Sequence, residues 1–109
     1  MGNATVEVSG AQAARWAAEL RAALAEAVGP AGSVSPVQVQ RSAEMVIAVI
    51  GLVFSGVEVA KTITEWWGAR RRDGAAVTVL LPDGTRIELT EGSQARLEIA
   101  MRQDDTGPR

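Results

Sequence analysis

The sequence contains no cysteine, no histidine and no tyrosine, and Lys61 is its one lysine. Without cysteine there is no disulfide framework and no thiolate nucleophile. Without histidine the commonest metal ligand is missing, and so is the side chain that titrates nearest neutral pH. Aromatic side chains are sparse: three tryptophans and one phenylalanine. A net charge of −2 gives no general attraction to phosphate backbones, and no nucleic-acid partner is expected. The first ten residues, MGNATVEVSG, lack the basic-then-apolar order of a signal peptide, which predicts a cytoplasmic location.

The acids that remain are scattered, and no pair of them has the setting of an acid/base or metal site. Gly51 and Gly56 have the spacing that opens a phosphate loop, but the Lys-Ser/Thr that completes one does not follow. These absences predict a protein that is not an enzyme and has no cofactor and no metal.

At 109 residues the chain is expected to form a single α+β domain over 1–102, followed by a frayed polar tail at 103–109. Ala4 to Val8 alternates and reads as a strand. Ser9 to Gln12 has the form of a capping box, with Ser9 as N-cap of a helix running to about Val28. Ala13, Trp16, Leu20, Ala23, Leu24 and Ala27 share one side of that helix, and Gly29-Pro30 ends it. Val37 to Gln40 reads as a short strand, and Pro36 suggests that it begins there or lies at an edge.

A hairpin is expected over 76–90. A two-residue turn at Asp83-Gly84 would pair Leu81 with Arg86. A three-residue turn, with Gly84 left-handed, pairs Leu81 with Thr85. The second register alone puts Val77, Val79, Leu81, Ile87 and Leu89 on one face, and it is preferred for that reason. Arg86 and Glu88 then face outward, and Asp83 is consumed by the turn. A last helix carries Leu97, Ala100 and Met101. The expected order is β-α-β-α-β-β-α.

The segment from Ala43 to Trp67 stands out. It is uncharged from Met45 to Val57, and Glu44, Ala48, Gly51, Ser55, Glu58, Thr62 and Glu65 follow at alternating intervals of four and three. On a helix they form one narrow stripe. The spacing predicts a long apolar helix over about 41–68, for which three settings are open. It could be the central core helix, with the stripe toward water. It could pack on a second copy of itself or on another protein through Ala48, Gly51, Phe54, Ser55, Glu58, Thr62, Trp66 and Trp67. It could also lie in or across a bilayer over 44–67, with Trp66 and Trp67 at the headgroups. About 24 residues at 1.5 Å span roughly 36 Å, against a hydrocarbon core of about 30 Å. Glu58 and Lys61 count against that setting. Arg70, Arg71 and Arg72 are candidates for an anion contact, or a cationic end that offsets the helix dipole.

The order of these elements, with Trp66-Trp67-Gly68 and its arginines followed by Leu81-Pro82-Asp83-Gly84-Thr85, resembles a small actinobacterial family, effector-associated constant component, type one. The resemblance covers nearly the whole chain. It implies a non-catalytic adaptor or scaffold, encoded beside varied effectors in bacterial conflict or immune-like systems. The resemblance implies an effector protein as partner; the apolar helix itself adds further copies of the chain, or a membrane, as the other candidates. The resemblance carries over no functional residues.

Overall fold

The computed structural model describes residues 2–30, 32–41, 45–55, 58–90 and 92–105, with Asp104 and Asp105 in backbone only. In chain order the elements are β1 (Gly2–Ser9), α1 (Ala13–Ala27), β2 (Ser33–Val34), β3 (Gln38–Arg41), β4 (Val46–Phe54), α2 (Glu58–Arg70), β5 (Ala76–Leu80), β6 (Arg86–Glu88) and α3 (Gln94–Asp105). A short 3-10 turn at Arg71–Asp73 follows α2 and closes on Gly74, whose φ of 91° suits glycine.

The strands form one antiparallel sheet in the order β2-β4-β1-β5-β6, with β3 also on the outer side of β4. β1 lies centrally, Val6 opposite Ile50 on one side and Val79 on the other. Alternation then fixes the layers. Ala4, Val6 and Val8 of β1, Ala48, Ile50, Leu52 and Phe54 of β4, Val77 and Val79 of β5 and Ile87 of β6 all point to one face and are buried. The helices cover that face with Trp16, Leu20 and Leu24 of α1, Ile63 of α2 and Leu97 and Met101 of α3. The α+β class stands, and the order of elements stands with one exchange.

That exchange concerns the long apolar helix, which is absent. Its first half is β4 and its second half is α2, joined through Ser55. Five of the nine residues of β4 are valine or isoleucine. Branching at Cβ costs rotamer freedom in a helix and packs well on a pleated sheet. A short apolar run does not separate a buried strand from a buried helix by period alone, and here β-branching decides. The alternative of a helix in or across a bilayer over 44–67 goes with it. α2 has 13 residues, about 20 Å of helix. Among the described residues no helix is long and apolar enough to cross a membrane.

Three smaller differences are local. Ser9 is not an N-cap: it pairs with Ile47 and Ala76 as the last residue of β1. The turn into α1 is made by Gly10, at φ 135°, and the helix starts at Ala13 with Gln12 at the cap position. β3 begins one residue later than expected, and a two-residue strand, β2, precedes it. α3 continues to Asp105, three residues into the expected tail.

The hairpin takes the three-residue turn. Leu81 N–H donates to Thr85 O at 2.9 Å, Gly84 N–H to Leu81 O at 3.0 Å, and Gly84 has φ 95°. Val77, Val79, Leu81, Ile87 and Leu89 are all buried, as only that register allows. Asp83 Oδ1 accepts from Thr85 N–H at 2.9 Å. This contact, through the side chain and backbone of Thr85, holds the Asp83 carboxyl below its ordinary range.

Candidate interaction surface

β2 and β3 are two halves of one bulged edge strand. Ser33 pairs with Val53 and Gln38 with Val49, so five steps along this edge match four along β4. The extra residue falls in Ser35-Pro36-Val37. Ser35 N–H donates to Gly51 O at 2.8 Å. Gly51 N–H is received by Ser35 Oγ at 2.8 Å, because the Ser35 carbonyl is turned toward α1. There Arg21 Nε reaches Ser35 O at 2.7 Å and Arg21 Nη2 reaches Val34 O at 3.1 Å. One arginine therefore locks the bulge onto the helix layer.

The second face of the sheet has no helix over it among the described residues. Its rows follow from the register. β1 contributes Asn3, Thr5, Glu7 and Ser9, all polar. β4 contributes Ile47, Val49, Gly51 and Val53, half-buried and without a polar side chain. β5 and β6 add Thr78, Leu80, Arg86 and Glu88. Met45, 51% exposed, extends the β4 row. The result is an apolar ridge one strand wide, with polar β1 on one flank and Gln38 and Gln40 of the edge on the other. Gly51 interrupts the ridge, and a shallow depression between Ser33 to Ser35 and Val53 opens there. Arg86 Nη2 reaches Glu7 Oε1 at 3.8 Å across the face.

The residues expected to form one helical stripe are split by this arrangement. Ala48 and Phe54 point into the core, and Gly51 points to the open face. Ser55 and Glu58 are exposed at the junction of β4 and α2, and Thr62 is half-buried on α2. Glu44 lies outside the described residues. Trp66 and Trp67 are half-buried against the core, and Trp67 Nε1–H donates to Ala75 O at 3.2 Å.

The arginines that follow are drawn into the fold to different degrees. Arg70 stacks 5.8 Å from the Trp66 ring centroid and pairs with Glu19 of α1 at 3.1 Å. Arg71 lies 5.7 Å from that of Trp67, and Arg72 is exposed. The Arg70–Glu19 pair is about one-third exposed and contributes no more than about 1 kcal/mol.

Sequence reasoning missed Met45, Ile47, Val49 and Val53 as surface residues. Their signal was the β-branching of Val46 to Phe54. Once that run is a strand, alternation sends every odd-numbered residue outward.

The molecule is thus a two-layer α+β sandwich, with helices on one side of the sheet and, among the described residues, no helix on the other. The family model for Effector Associated Constant Component 1 matches residues 9–104, and the chain belongs to that family. No curated protein and no solved structure matched it.

Proposed function

We propose that this effector-associated component is a non-catalytic adaptor that docks an effector protein on the open face of its sheet. The observation that carries the reading is the outward row of β4. Three β-branched side chains and a glycine stand in line, continued by Met45, on a face that no described element covers. Surface strands of single domains usually alternate apolar-in and polar-out, as β1 does here. The family's name supplies the kind of partner. The non-catalytic part of the reading rests on the residue inventory, which lacks histidine, cysteine and tyrosine.

The test is co-expression with a candidate effector, followed by size-exclusion chromatography with light scattering. Ile47→Glu combined with Val49→Glu should abolish the complex. Both side chains are half-buried and Val49 lies opposite Glu7, so the double variant should lose about 1–3 kcal/mol in stability by urea titration and stay folded. A complex that survives the double substitution removes the open face from the reading. A wild-type chain that is a dimer alone, and a monomer with the substitutions, assigns the face to a second copy instead.

A further inference from the structure

At one end of the open face the ridge meets a cleft of about 360 Å³. Its floor is made of short side chains, Ser9, Ala76 and Thr78, which is why a hollow exists there. Met45 and Ile47 form an aliphatic wall on one side. The other side is charged. Thr78 is flanked in register by Glu7 on β1 and by Glu88 on β6, which sets the two carboxylate-bearing residues roughly 10 Å apart at about 4.8 Å per strand. Arg86 pairs with Glu7. Glu88 has no ion-pair partner among the described residues. The cleft therefore holds two carboxylates and one guanidinium, against an apolar wall.

We infer that this cleft receives a cationic side chain, arginine or lysine, from the docked partner. The inference rests on the adaptor reading and specifies the partner's chemistry. Such a side chain has the two properties the cleft asks for. Its methylene stem packs on Met45 and Ile47, and its charged head reaches the Glu88 carboxylate while staying in contact with water. An acidic residue would meet two carboxylates, and an aliphatic one would leave the charge imbalance as it stands. The volume, at the low end for small-ligand sites, suits one long side chain. The partner segment is then apolar where it lies along Val49 and Val53 and basic where it reaches Thr78.

The probe is the tripeptide acetyl-Leu-Arg-Leu-amide, compared with the same peptide carrying citrulline, which keeps the shape and loses the charge. Titration is followed by amide chemical shifts in the intact chain. The arginine peptide should move the amides of Ile47, Thr78 and Glu88 saturably. The citrulline peptide should bind at least fivefold more weakly, and Glu88→Gln should bring the arginine peptide down to that level. Added salt should weaken the arginine peptide alone. Equal affinity for the two peptides, or shifts centred away from the cleft, overturns the inference. An effector complex left intact by Glu88→Gln also overturns it while leaving the adaptor reading in place. Loss of the complex in the Ile47→Glu, Val49→Glu variant alone speaks only to that broader reading.

Discussion

A methyl group added at Gly10 would lie 2.6 Å from Trp16 Cζ3 and 3.2 Å from the Gly74 carbonyl, on a backbone at φ 135°. Gly10→Ala should therefore cost about 2–4 kcal/mol, combining backbone strain with overpacking of a buried indole. The same methyl at Gly51 meets nothing closer than Ser35 Oγ at 3.4 Å. Gly51→Ala should be neutral, or stabilising by up to about 1 kcal/mol through the unfolded chain. Urea midpoints of the two variants check both, and against a total of about 5–15 kcal/mol the first is plainly visible. Asp83 gives a pH-dependent prediction. Its carboxyl titrates below the ordinary range when folded, so its contribution is complete above the unfolded value near pH 4 and is lost as the pH falls through the folded one. Asp83→Asn keeps the acceptor for Thr85 N–H and removes the charge. The stability gap between wild type and Asp83→Asn should be constant from pH 7 to about 5 and should close toward pH 3.

The hairpin and β4 show how far the elements could be read in advance. In the hairpin two signals agree: the apolar residues alternate, and Pro82-Asp83-Gly84 permits one register that keeps them together. In β4 they conflict. The small residues Ala48, Gly51 and Ser55 fall at intervals of three and four, and that pattern imitates a helix. Ala48 is small because it packs inside the core, Gly51 lies beside the edge bulge, and Ser55 follows the last residue of the strand, so three unrelated causes produce one false stripe. The open face was legible in halves. The outward position of Arg86 and Glu88 followed from the hairpin register, whereas Ile47 and Val49 could be placed only once the strand was known. Long-range contacts were beyond reach. Nothing near Arg21 in the sequence announces that it caps the carbonyls of Val34 and Ser35. Arg21→Ala should destabilise the chain by about 1–2 kcal/mol, the cost of leaving those acceptors poorly served. Hydrogen exchange should speed at the Ser35 and Gly51 amides before it does so in β1.

The whole molecule is ordered around its first strand. β1 pairs with β4 on one side and β5 on the other, and both are made later in the sequence. A chain ended after Asp73 would keep α1, β4 and α2 but leave one side of β1 unpaired, and Ile87, Leu97 and Met101 would be missing from the core. Such a fragment should show no cooperative thermal transition by circular dichroism, whereas the full chain should melt in one step. The central position of β1 also has a consequence for the living cell. On the ribosome, about 70 residues separate the birth of β1 from that of β5, which at about 5–20 residues per second takes roughly 4–14 s. For that interval Val6 and Val8 have β4 at most to pair with, and the side that β5 takes stays open. The yield of this protein would then be governed by how well nascent-chain chaperones shield the open side of β1, and slowing translation between Phe54 and Ala76 should lower it.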